Sequence, residues 1–226
     1  MRKLLFLFLL IPCTLSAQKK DKVDKIGFCG VPLKSKEKIS SYYHQQFQFL
    51  HVSEGDTIVD IGAASGWYEG AFAATSELKE LTFILVDINP KCLNEIKVSN
   101  MISHYSKVKG DSITYRFQIV QNTPDSLQLP LNQFSKIWML NTLHEIPDQS
   151  KMIRDIYAIL RTGGEIVILE NPPKKEGQLH GGCRMPLLSF EKINSLFTSN
   201  GFQFSEKIDI VRKGNSDIQM LRFIKQ

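Results

Sequence analysis

Ten residues constrain the chain more than any others: Val59-Asp60-Ile61-Gly62-Ala63-Ala64-Ser65-Gly66-Trp67-Tyr68. Thr57 to Ile61 is a β-branched run carrying one acid, Asp60, and it stops at Gly62. An Ala-rich segment of helical character follows from Tyr68 to Leu78. Gly62 and Gly66 let the backbone turn tightly and approach a ligand with no side chain in the way. The helix behind the turn aims its free N–H groups past the strand end, where ligands of open α/β sheets sit. The same residues also suit a tight strand–helix turn that binds nothing.

Around this unit, strands and helices alternate. Ser35 to Leu50, Lys91 to Tyr105, Gln149 to Leu160 and Ser189 to Asn200 have helical character, the third with one apolar face at Met152, Ile153, Ile156, Ile159 and Leu160. Leu81 to Val86, Thr114 to Gln121, Lys136 to Leu140 and Glu165 to Glu170 are strands, the last following a glycine turn at Arg161-Thr162-Gly163-Gly164. Phe202 to Val211 and Asp217 to Ile224 are joined by Lys213-Gly214-Asn215-Ser216, a hairpin signal. The alternation predicts a three-layer, doubly wound α/β fold: a mostly parallel seven-stranded sheet with a C-terminal antiparallel hairpin. It forms one domain over residues 35–226, after a charged N-terminal lead-in at 18–34. At 226 residues and 42% hydrophobic, the chain suits one sizeable core. The net charge of +5 is spread without a basic block, so no nucleic-acid partner is expected. Four Cys do not make a disulfide scaffold.

The first 17 residues have the layout of a secretory signal peptide. Met1-Arg2-Lys3 is positive, Leu4 to Ile11 is apolar, and small residues lead to a cleavage region at Ala17 or Gln18. The apolar run is well short of the roughly 20 residues of a membrane span, so no stable span is expected after cleavage. Acylation at Cys13 is the alternative, ill served by Pro12, and an uncleaved N-terminus is another. Export to the periplasm or beyond follows from the first reading. Cleavage removes Arg2 and Lys3, leaving a net charge of +3, and leaves an odd set of cysteines: Cys29, Cys92 and Cys183.

A dinucleotide fingerprint G-x-G-x-x-G fails here at Ala64 and Trp67. The segment instead resembles the first motif of class I S-adenosylmethionine-dependent methyltransferases, an acid followed by G-x-G-x-G. Asp60, Gly62 and Gly66 match, and Ala64 replaces the middle glycine, tolerably if its φ is negative. The resemblance continues in order along residues 35–226. It implies a Rossmann-like methyltransferase fold, S-adenosylmethionine as cofactor, and Asp87 at the end of the second strand accepting both ribose hydroxyls. Asp87 equally suits a cap before Pro90. Asn122, with Asp125 as the alternative, corresponds to the residue facing the adenine amino group. Leu140-Asn141-Thr142-Leu143-His144-Glu145-Ile146 resembles the fourth motif, often L-x-x-L-H-H-I, and places Asn141 at the mouth between cofactor and substrate. Leu160-Arg161-Thr162-Gly163-Gly164-Glu165-Ile166-Val167-Ile168 resembles the turn before the fifth strand.

With no added recognition domain, the acceptor is expected to be a small molecule. His144 is the candidate general base should the nucleophile start protonated, with a purely positional role as the alternative; Glu145 is expected to face its own helix or solvent. His180 and Arg184, in the Gly- and Pro-rich segment 170–186, are expected to shape the acceptor pocket, Arg184 holding an acidic group or pairing with Glu170. No metal site is expected, since three scattered Cys contain no C-x-x-C. A Cys29–Cys183 disulfide is expected in an exported chain of this fold. The cytoplasmic synthesis of the cofactor keeps a cytoplasmic location open. A non-catalytic nucleoside-binding or interaction protein of the same fold is the competing function. A nicotinamide oxidoreductase is disfavoured by Ala64, Trp67 and the hairpin.

Overall fold

A computed structural model describes residues 29–30, 32–124, 126–212 and 217–226. The leader, most of the lead-in, Asp125 and the hairpin turn at 213–216 lie outside the described residues. The elements run α1 (Lys36–Phe49), β1 (Thr57–Ile61), α2 (Trp67–Thr75), β2 (Thr82–Asp87), α3 (Glu95–Lys109), β3 (Arg116–Gln121) and β4 (Phe134–Leu140). They continue with α4 (Gln149–Ile159), β5 (Leu160–Glu170), α5 (Phe190–Thr198), β6 (Phe202–Ile210) and β7 (Ile218–Lys225).

Side-chain caps set several boundaries. Ser35 Oγ accepts from the Lys38 N–H and starts α1. α3 begins four residues later than its apolar spacing predicts because Asn94 is the cap, its Oδ1 accepting from the Lys97 N–H at 3.0 Å. β5 begins earlier than expected: Leu160 already pairs with Phe134, Arg161 to Gly164 bulge out, and pairing resumes at Lys136 with Glu165. The expected glycine turn is thus an irregularity inside a strand.

The seven strands form one sheet in the order β3-β2-β1-β4-β5-β7-β6. β1 to β5 pair in parallel, while β7 lies antiparallel between β5 and β6. The fold expected from the sequence is the fold observed. The chain winds outward from β1 to β3, then crosses to β4 on the other side of β1. That reversal opens a crevice at the carboxyl ends of β1 and β4, where doubly wound sheets take ligands. Alternate residues divide between two cores. Ile58, Phe83, Leu85 and Trp138 pack on one face with Ile39, Met101 and Tyr105. Val59, Ile61, Ile137 and Met139 pack on the other with Ile153, Ile156 and Phe197. Both faces being covered is what makes the strand sequences near-continuously apolar.

The expected Cys29–Cys183 pairing is wrong. Cys29 bonds to Cys92, 63 residues away, and Cys183 is a free, exposed thiol. Cys92 lies in the turn between β2 and α3, where its carbonyl accepts from Ser65 Oγ at 2.8 Å. The segment from Cys29 is therefore tied to the turn before α3 and to α3 itself rather than to the loop after β5. The Leu33 N–H donates to the Tyr105 hydroxyl, and the Leu33 carbonyl lies 2.8 Å from a His104 ring nitrogen. No described helix is long and apolar enough to cross a membrane.

Candidate functional site

The turn after β1 is hung from the end of β2 by backbone bonds. The N–H groups of Gly62 and Ala63 both donate to the Val86 carbonyl, at 2.8 and 3.1 Å. The next N–H, that of Ala64, donates to Asp87 Oδ2 at 2.8 Å, and Asp87 Oδ1 accepts from the Asn89 N–H at 2.8 Å. Asp87 thereby faces the turn and also acts as the local cap anticipated before Pro90. Each of its oxygens retains an unused lone pair.

Gly62 has φ +83°, and a Cβ there would lie 2.3 Å from Thr142 Oγ1 at the end of β4. Glycine is needed at this position for the backbone angle and for the contact between the two strand ends. Ala64 departs from expectation: its φ is +48°, not negative, so the residue replacing the middle glycine carries left-handed strain. Gly66, at φ +72°, caps α2.

Two acids lie buried beneath the turn. Asp60 is 3% exposed and Glu69, in the first turn of α2, is fully buried. Asp60 Oδ1 and both Glu69 carboxylate oxygens have no hydrogen-bond partner among the described residues. Burial, then the neighbouring Glu69, raises the Asp60 carboxyl well above its usual range, and burial raises Glu69 as well. Burial thus favours the uncharged form of both carboxyls.

Past β3, Asn122 donates its backbone N–H to the Asp87 carbonyl at 3.3 Å. Its side chain is 9% exposed and its Oδ1 has no partner among the described residues. The alternative at this position, Asp125, lies outside the described residues. Across the crevice, Asn141 at the end of β4 adopts φ +58°, an angle asparagine tolerates. Its N–H donates to the Leu169 carbonyl, and its Oδ1 accepts from Asn171 Nδ2 at 3.0 Å.

Beyond Asn141 the chemistry is carried by side chains. Leu143 to Glu145 form a single 3-10 turn in which His144 is only 1% exposed. Glu170, fully buried at the end of β5, takes both the His144 backbone N–H at 3.1 Å and its ring Nδ1 at 2.7 Å. Burial opposes charge on this imidazole, but the Glu170 carboxylate outweighs it and raises the His144 pKa. Glu170 is thus committed to His144, and the Arg184 pairing considered from sequence does not form. Arg184 is exposed, in a left-handed conformation at φ +66°.

The His180 ring stands edge-on to His144 with centroids 4.8 Å apart, and His180 Nδ1 lies 3.1 Å from Cys183 Sγ. Glu145 does not face only its own helix or solvent. Its Oε1 is 3.8 Å from His144 Nε2, and it influences the Cys183 thiol, which burial first and Glu145 next push up. The sequence reading singled out His144 and His180 but missed Glu69, the Glu170–His144 pair and the approach of Cys183 and Glu145. The spacing His180-x-x-Cys183 was the one signal for the last of these.

Residues 59–168, just under half of the chain, match the family model described as a methyltransferase domain. A curated relative, the ubiquinone/menaquinone biosynthesis C-methyltransferase of Vibrio cholerae, is 27% identical over 116 residues, covering 51% of this chain and 41% of the relative. The match thus spans less than half the length of that relative. Among solved structures, an S-adenosylmethionine-dependent methyltransferase from Methanosarcina mazei superposes with TM-score 0.60 at 17% identity, covering 77% of this chain and 94% of the other. The magnesium protoporphyrin IX methyltransferase of Synechocystis, solved with bound S-adenosylmethionine, superposes with TM-score 0.57 at 13% identity over 84% of this chain and 79% of the other. Residues 59–168 thus resemble a methyltransferase domain, and the chain has the fold of these enzymes.

Proposed function

We propose that the chain is an S-adenosylmethionine-dependent methyltransferase acting on a small-molecule acceptor. One observation carries the reading: the Asp87 carboxylate, held by the Ala64 N–H at the lip of the glycine turn, shares that lip with Asn122, whose buried Oδ1 has no partner among the described residues. A nucleoside supplies what these atoms lack. Asp87 would hold the ribose hydroxyls through its remaining lone pairs, and Asn122 Oδ1 would accept from the adenine amino group. Gly62, Ala64 and Gly66 give the methionine end a backbone surface, with Asp60 buried beneath it. Asn141 closes the crevice toward the acceptor.

When bound, the cofactor supplies a sulfonium methyl group and a thioether leaving group that needs no acid. The protein's task is then positional: to hold the acceptor atom in line, about 3–3.5 Å from that methyl, with water excluded. Asn141, His144, His180 and Arg184 lie on the side of the crevice left for the acceptor. Similarity to a C-methyltransferase of ubiquinone/menaquinone biosynthesis supports a small acceptor.

An exported location is part of the proposal. It is supported by the leader's layout and by the Cys29–Cys92 disulfide, a bond that persists in oxidising compartments.

Calorimetry with S-adenosylmethionine, followed by transfer of labelled methyl to a metabolite extract, tests the function. Binding that Asn122→Leu weakens about 10-fold, as loss of one buried hydrogen bond requires, together with labelled product, supports it. No binding refutes it, and binding without any transfer returns the chain to a nucleoside-binding role.

A further inference from the structure

We propose that His144, His180, Cys183 and Glu145 form a binding site for a divalent transition cation of the zinc class, on the acceptor side of the sheet. Their four candidate ligand atoms lie within 4.8 Å of one another. Bond lengths of about 2.0–2.3 Å to nitrogen, sulfur and oxygen put neighbouring ligands of a tetrahedral ion roughly 3.3–3.8 Å apart. His180 Nδ1 and Cys183 Sγ are already 3.1 Å apart, and His144 Nε2 and Glu145 Oε1 3.8 Å apart. Pairs as far apart as 4.8 Å would have to close to that range for all four atoms to bind one ion.

The second, independent observation is the state of His144. Its side chain is fully buried, and its Nε2 has no hydrogen-bond partner among the described residues. Its other nitrogen is held at 2.7 Å by Glu170, whose carboxylate is also fully buried and also takes the His144 backbone N–H. Imidazoles that bind metals are oriented in this way, with one ring N–H given to a carboxylate and the opposite lone pair aimed at the ion. Here that nitrogen lies within 4.8 Å of the other three candidate donor atoms.

The loop that brings His180 and Cys183 is itself built to hold them. Leu179 bridges Pro186, the His180 N–H donates to the Met185 carbonyl at 2.7 Å, and the Arg184 N–H donates back to the His180 carbonyl. The H-x-x-C spacing puts both ligands on one tight turn. Two imidazoles and a thiolate select zinc-like ions over magnesium or calcium. Glu145, with its side chain 48% exposed, supplies the solvent-facing ligand. The disulfide between Cys29 and Cys92 leaves Cys183 as a free thiol, available to the ion. The proposal needs neither nucleoside nor methyl transfer, so it stands or falls apart from the proposed function.

Cobalt(II) titration of the full chain tests it, with the disulfide intact and metal first removed by chelator. One equivalent is expected to give tetrahedral d–d bands and a thiolate-to-cobalt charge-transfer band, both abolished by zinc. Cys183→Ser, at an exposed position, should keep the fold and lose the charge-transfer band. His180→Ala and Glu170→Gln should each weaken binding about 10–100-fold, the latter through the orientation of His144. Absence of the bands, or bands unchanged in Cys183→Ser and His180→Ala, would overturn the proposal. So would a Cys183-linked dimer that takes up no cobalt even after its intermolecular bond is selectively reduced.

Discussion

The two halves of the crevice are made of different material. On the β1–β2 side the surface is backbone: the N–H groups of Gly62, Ala63 and Ala64 are fixed to Val86 and Asp87, and Asp87 is the chief side chain. On the β4–β5 side it is side chain on side chain, with Glu170 holding His144 and a short loop bringing His180 and Cys183 against it. A backbone surface suits the invariant part of a reaction, because no substitution retunes it without altering the turn. A side-chain surface can change its chemistry residue by residue, which suits the part of a site that tells one acceptor from another. Gly62, beneath Thr142, is the hinge between the two.

The sharpest way to break this contrast is at that hinge. Gly62→Val combines left-handed strain of about 1–3 kcal/mol with overpacking against Thr142 of about 1–3 kcal/mol, and should lower stability by about 4 kcal/mol in chemical denaturation. A variant as stable as the parent would mean the strand ends are not in contact. On the side-chain half, Glu170→Ala strands the His144 N–H and Nδ1 without partners and should cost about 3 kcal/mol, with Glu170→Gln costing clearly less. Equal losses would show that Glu170 only fills space.

The buried acids give the backbone half a pH signature. Asp60 and Glu69 have folded-state pKa values raised above their unfolded values. Their protonated forms therefore contribute stability that is full below the ordinary carboxylate range and is lost as pH rises through the raised values. The ligand-free protein should lose at least about 1 kcal/mol between about pH 5 and about pH 8, and Asp60→Asn should flatten that slope. A parallel slope in the variant would remove Asp60 as its source. The smallest effect is expected at Ala64, where φ is +48°. Ala64→Gly relieves about 1–2 kcal/mol of left-handed strain, offset by added freedom of the unfolded chain, for a net gain of about 0.5–1 kcal/mol by thermal melting.

The same division governs what could be read before the structure. The strand–turn–helix at 57–75 was legible from local apolar patterning, whereas Asp87 and Asn122 were singled out by the resemblance to methyltransferase motifs. The mostly parallel sheet with its closing antiparallel hairpin followed from the alternation of strands and helices, whereas the strand order came only with the structure. Ala64 misled because a backbone angle is not written in the identity of an alanine. The Cys29–Cys183 expectation failed because cysteine pairing depends on where a segment lies in space, and Cys92, in the turn before α3, is the residue that the segment from Cys29 meets. The cluster at His144, Glu145, His180 and Cys183 was invisible for the same reason. Its members come from a 3-10 turn and a loop some 35 residues apart, brought together only by the parallel pairing of β4 with β5. Counting cysteines without histidines hid it further.

A crystal structure of the chain with S-adenosylhomocysteine measures the central claim directly. The account predicts one molecule per chain in the crevice at the ends of β1 and β4, its ribose hydroxyls on Asp87 and its adenine amino group on Asn122 Oδ1. A ligand bound elsewhere, or bound there with Asp87 turned away from the sugar, would contradict it.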